Sequence, residues 1–91
     1  MDNAQTWKAC FTEWPEDVPR RGILITTINE QIPFSTFLTS PTMLLLERTT
    51  PDTAGTRKVL LPYGNISMLK IAEVINAKSF AALGFAGPAP K

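Results

Sequence analysis

GILITTINEQIPFSTFLTSPTMLLLERTT, Gly22 to Thr50, and RKVLLPYGNISMLKIA, Arg57 to Ala72, decide the fold of this 91-residue chain. Ile23, Leu24, Ile25, Thr26, Thr27 and Ile28 are almost all β-branched, and such side chains suit a pleated surface. The polar run Asn29-Glu30-Gln31 predicts a turn. Ile32–Thr39 then reads as the returning strand, with Ile32, Phe34 and Thr36 on one face. Phe37 interrupts that alternation; a bulge or sharp bend accounts for it and helps a sheet to curl. Ser40-Pro41 marks a corner. Met43–Arg48 reads as a third strand, and its unbroken Met-Leu-Leu-Leu run points to apolar surroundings on both faces. Pro51, Asp52 and Gly55 make Thr49–Thr56 a turn. Val59, Leu60 and Leu61 form a fourth strand halted by Pro62. Tyr63-Gly64-Asn65 follows as a tight turn in which Gly64 or Asn65 takes positive φ. Ile66–Ile71 is the fifth strand. The pattern is mainly β, and it predicts one small, strongly bent antiparallel sheet or barrel.

The flanks add short helical pieces. Asp2 and Gln5 have the spacing of a capping box. Ala4, Trp7, Phe11 and Trp14 recur at threes and fours, which predicts a short helix stopped by Pro15. Read at period two, Trp7, Ala9 and Phe11 also fit a strand. In either conformation the aromatic residues Trp7, Phe11 and Trp14 cover one end of the core, the alternative being a partner-binding role. After Glu73 the pattern loosens. Ser79 is the expected cap of one helical turn, Phe80–Leu83, closed by Gly84. Phe80, Leu83 and Phe85 are expected to fold back on the barrel. The chain therefore reads as one domain over residues 1–86, followed by a flexible tail at 87–91.

A domain of this size buries only about 60–65% of its unfolded surface, so association is a natural supplement to its stability. The lone Cys10 and the absence of histidine exclude an internal disulfide, a multi-cysteine zinc site and any Ser–His or Cys–His catalytic pair. No metal or other cofactor is expected. No phosphate-cradling glycine loop is present. Glu13, Glu16 and Asp17 flank a proline and read as surface charges, and Cys10 as an inert thiol. Catalysis is not expected. Nine Lys and Arg against eight Asp and Glu give a formal charge of +1, which is not the balance of a strong polyanion binder. No apolar run of about 20 residues and no secretory leader are seen, so no membrane partner and a cytoplasmic setting are expected.

A possible helix, three strands, a turn, two short strands around a second turn and a tail: in this order the chain resembles the Sm/Lsm family of small five-stranded barrels. Ser40-Pro41-Thr42-Met43-Leu44 stands where that family has Asp-x-x-Met-Asn. Pro62-Tyr63-Gly64-Asn65-Ile66 stands where it has Arg-Gly-x-Asn-aliphatic. Met43 and the Asn65-Ile66 pair match. Ser40, Leu44, Pro62 and Tyr63 replace the family's Asp, Asn, Arg and Gly, and no glycine stands near Phe34. The resemblance implies a closed homo-oligomeric ring in which the fourth strand of one subunit pairs with the fifth of the next. The apolar residues Val59, Leu60, Leu61, Met68, Leu69 and Ile71 would then line the subunit contact. Exposed strand edges of that composition need a partner.

The resemblance further implies RNA or another single-stranded nucleic acid as a ligand near the pore. The residues carried over to the family's base pocket are Thr42, Leu44 and Pro62: Thr42 does not stack as an aromatic does, Pro62 carries no charge, and Leu44 has no amide to read a base. A non-standard site built from Thr42, Tyr63 and Asn65, with Arg20 and Arg21 as phosphate contacts, is the nucleic-acid reading. The reading from a different class keeps the barrel and ring but makes the chain a structural or interaction module for protein partners. A third is an SH3-like barrel that works as a monomer.

Overall fold

A computed structural model describes residues 2–85. It contains a helix α1 (Asn3–Thr12) and five strands, β1 (Gly22–Thr26), β2 (Gln31–Thr39), β3 (Met43–Arg48), β4 (Lys58–Pro62) and β5 (Ile66–Lys70). A short 3-10 segment at Tyr63–Asn65 joins β4 to β5, and another follows β5 at Ala77–Leu83. All strand pairings are antiparallel, and the sheet order is β4-β3-β2-β1-β5. The expected tail at 87–91 lies outside the described residues.

The order forces curvature. β4 and β5 are the two edges, and in a flat five-stranded sheet they would lie about 19 Å apart. They are nevertheless joined by Tyr63–Asn65 alone, a link that reaches at most about 14 Å when fully extended. Coiled as a 3-10 turn it reaches less. The sheet must therefore curl until its edge strands approach at that end. It stays open, because β4 and β5 do not pair with each other.

α1 forms for the reason its sequence states. The Asp2 carboxylate accepts from the Gln5 N–H at 2.8 Å, and the Gln5 side chain accepts from the Asp2 N–H at 3.2 Å. This reciprocal cap satisfies two donors that the first turn leaves unpaired. Asn3 then ties the helix to the curl, its side-chain amide donating to the carbonyls of Gly64 and Ile66 at 3.0 and 3.1 Å. The core lies between the helix and the concave sheet: Phe11, Trp14, Val18, Leu24, Ile32, Phe34, Phe37, Leu44, Leu46, Leu61, Tyr63 and Ile66. Phe37 is its hub. Its ring meets Phe11 and Trp14 edge-on at 5.0 Å each and Phe34 at 6.1 Å.

Several expectations are corrected. The first strand stops at Thr26, because Asn29 adopts φ 65° and turns the chain early, leaving Ile28 83% exposed. Thr36 is not on the core face: a register shift between Phe34 and Thr36 reverses the alternation, and Phe37 points inward instead. Neither Gly64 nor Asn65 takes positive φ, since a 3-10 turn needs none. The C-terminal segment starts at Ala77 with Asn76, not Ser79, as its cap; Gly84 closes it at φ 94° as expected. Phe80 packs on the core, while Phe85 is exposed. The third strand buries Leu44 and Leu46 fully but Met43 and Leu45 only in part.

Gly22 opens β1 for a steric reason. A Cβ there would lie 2.5 Å from the Lys70 carbonyl oxygen of β5. We expect Gly22→Ala to separate β1 from β5 and lower stability by about 1–3 kcal/mol, the usual range for forced shifts in packed regions. Chemical denaturation of the two proteins checks this.

Candidate functional site

The chemistry of this chain lies on its edges, and the hydrogen-bond phase defines what they offer. Antiparallel neighbours alternate between pairs that exchange both main-chain bonds and pairs that exchange none. The Arg48 N–H donates to the Arg57 carbonyl at 2.7 Å. In the observed register, Leu46 with Val59 and Leu44 with Leu61 are then the bonded pairs. Lys58 and Leu60 consequently direct N–H and C=O to the open side of β4, and Pro62 directs its C=O there. The missing N–H of Pro62 falls on that open side, where no internal bond is lost.

The same reasoning fixes β5. The Thr26 N–H is used by the Glu30 carbonyl in the β1–β2 hairpin, and the Thr27 N–H donates to the Asn65 carbonyl, each at 2.9 Å. Ile23 and Ile25 therefore bond to Lys70 and Met68 across the register. Leu69, between them, directs its main-chain groups outward. Among the described residues each edge thus presents unpaired donors and acceptors, the condition that invites another strand.

The six expected interface residues divide by face. Leu60 and Met68 are 59% and 48% exposed on the outer face, whereas Leu61 is 6% exposed in the core. Val59, Leu69 and Ile71 are half-buried against the core. Ile71 follows the last residue of β5. Leu61 is thereby removed from the expected contact: its side chain is buried and its main-chain groups bond to Leu44 inside the sheet.

The expected base-binding residues are drawn together only in part. Tyr63 is 2% exposed, and its hydroxyl donates to the Ser40 carbonyl at 2.8 Å. This bond pins the β4–β5 turn to the β2–β3 corner, so Thr42 and Asn65 lie on joined loops, both exposed. It also removes the Tyr63 ring face from any base, which corrects its assignment as a stacking platform. Burial raises the Tyr63 pKa. Ser40 orders the corner itself: its Oγ accepts from the Met43 N–H at 2.9 Å.

The two arginines are engaged elsewhere. The Arg20 guanidinium sits 4.6 Å above the Phe37 ring centre and donates to the Phe37 carbonyl at 3.3 Å. Arg21 pairs with Glu73, and Ser79 donates to Asp17, so two side-chain contacts tie the C-terminal segment to the loop before β1. Lys58 pairs with Glu47 at 2.9 Å. Among the described residues no group of three or more His, Cys, Asp or Glu could hold a metal ion. Burial pushes the Cys10 thiol up to about 11, so at neutral pH it is protonated and a poor nucleophile.

Acid should loosen the Arg21–Glu73 pair and the turn in which the Asp52 carboxylate accepts from the Thr56 N–H. The hydrogen bond from Arg21 holds Glu73 below the usual carboxylate range, and the Thr56 N–H does the same for Asp52. A depressed folded-state pKa contributes stability that is complete above the unfolded value and is lost as pH falls through the folded one. We expect the thermal midpoint to stay level down to about pH 5 and to decline below about pH 4. Glu73→Gln should show a shallower decline in the same melts.

Sequence logic missed the Tyr63–Ser40 bond, which spans 23 positions. It also missed the outer-face row Leu38–Leu45–Leu60, which only the register reveals. No helix among the described residues is long and apolar enough to cross a membrane. No family model, curated protein or solved structure matches the chain.

Proposed function

We propose that this chain is a divergent Sm-like subunit that assembles edge to edge into a closed homo-oligomeric ring and acts as an interaction module. The observation that carries the reading is the placement of β4 and β5: they are the two open edges of one sharply curled sheet, each with main-chain groups directed outward. A head-to-tail contact between unlike edges uses both at once, and a rotation that closes leaves none exposed. The curl, the N-terminal helix seated on the β4–β5 turn and the strand order all support an Sm-like barrel. Small domains with thin stability margins gain from such association.

The interaction reading is favoured over the nucleic-acid one by the same side chains. Tyr63 is buried, Arg21 is neutralised by Glu73, and Arg20 covers Phe37. Thr42 and Asn65 remain as exposed polar residues without an aromatic face or a cation between them.

Native mass spectrometry tests closure: a ring gives one dominant stoichiometry, and an open-ended series of masses would contradict it. Titration with short homopolymer RNAs at two salt concentrations tests the choice of partner. We expect no saturable binding at either concentration. Tight, salt-dependent binding would restore the nucleic-acid reading.

A further inference from the structure

Among the exposed apolar features of the described residues, two lie beside the open edges. The first is a row across the outer face: Leu38 stands beside Leu45, and Leu45 beside Leu60 on the β4 edge. Leu38 and Leu60 are 63% and 59% exposed. The second is a hollow of about 330 Å³ on the core side of β5, lined by Trp7, Cys10, Leu69, Phe80, Leu83 and Phe85. We infer that each covers the other between neighbouring copies, with Leu60 of one copy directly opposite Leu69 of the next in an antiparallel β4–β5 pair. This rests on the ring reading above.

The hydrogen-bond phase selects this arrangement. An antiparallel bonded pair joins residues whose main-chain groups both face the open side. On β4 these are Lys58 and Leu60; on β5 the central one is Leu69. Directly opposed residues project their side chains to the same face of the joint sheet. Leu60 points to the outer face of its own subunit, and Leu69 packs against the core of its own. Pairing them therefore swings the leucine row of one copy onto the face where the next copy carries its hollow. Lys58 then stands opposite Ile71, and both β4 donors are engaged. Sliding the strands by two residues in one direction sets Leu60 against Ser67, where the β5 register is irregular. Sliding them the other way sets Pro62, which has no N–H, against Leu69. A parallel contact would place Leu60 beside Met68 or Lys70, whose groups turn back to β1, and would leave the hollow uncovered.

Cysteine cross-linking reads the register. In a Cys10→Ser background, Leu60→Cys with Leu69→Cys places two thiols on Cα atoms about 5.5 Å apart, within disulfide range. Oxidation should give a ladder of covalent multiples on a non-reducing denaturing gel. Leu60→Cys with Met68→Cys should remain a single band. Linkage of the second pair but not the first, or of neither in a protein that still has the mass of a multimer, overturns the inference and leaves the ring intact. Wild-type protein that sediments as a monomer removes the ring itself. Leu60→Asp supplies a second readout, since an exposed residue tolerates the change in the isolated fold. It should dissociate the assembly, and retention of the wild-type mass would overturn the inference.

Discussion

Phe37→Ala is expected to lower the thermal midpoint by about 15–30 °C. Phe37 is fully buried and touches Phe11, Trp14 and Phe34, with ring centres 5.0–6.1 Å away. Truncating such a residue costs about 3–5 kcal/mol. A domain of this size loses roughly 4–8 °C for each of those kcal/mol. The cost is large against a total stability of about 5–15 kcal/mol. The substitution also removes the surface on which the Arg20 guanidinium rests. Phe37→Leu keeps most of the volume and should fall between the two proteins. Calorimetry of the wild type and the two variants checks the order, and a shift under about 5 °C for Phe37→Ala would mean that the aromatic cluster is not the hub of the core.

The second large effect concerns assembly. Leu60→Pro is expected to leave the fold intact and abolish association, whereas Leu61→Pro should not fold. The residues are neighbours, but their main-chain groups face opposite ways. The Leu60 N–H faces the open side of β4, where proline is tolerated and Pro62 already stands in the same phase. The Leu61 N–H belongs to the bonded pair with Leu44, and its side chain is buried in the core. Circular dichroism reports the fold and light scattering the mass. An assembled Leu60→Pro protein would show that β4 does not carry the contact.

Much of the architecture was legible because local signals agreed. The capping box at Asp2 and Gln5 formed as its spacing implied. The break at Phe37 marked a real irregularity in β2. Gly84 closed the last helical piece. Errors arose where one signal had to outweigh another. Ile28 has the propensity of a strand residue, yet Asn29 reached φ 65° and took the chain into its turn first. Thr36 fitted a period of two that the irregularity had already shifted.

The candidate site was less legible, for two physical reasons. A tyrosine beside a glycine in a short turn resembles an exposed platform. Tyr63 is buried because a carbonyl 23 residues away accepts its hydroxyl, and no local pattern encodes that partner. The expected interface residues share only their apolarity. Along β4, however, apolarity does not separate Leu60 from Leu61; only the phase of the hydrogen bonds does. Leu44 proves to be a core residue, fully buried.

The most direct test of the central claim, that β4 and β5 are edges of self-assembly, is static light scattering of the wild-type chain across a dilution series at micromolar concentration. Edge-to-edge assembly gives one species with several times the 10.0 kDa mass of the chain, constant until dilution dissociates it. A 10.0 kDa species at every concentration would contradict it.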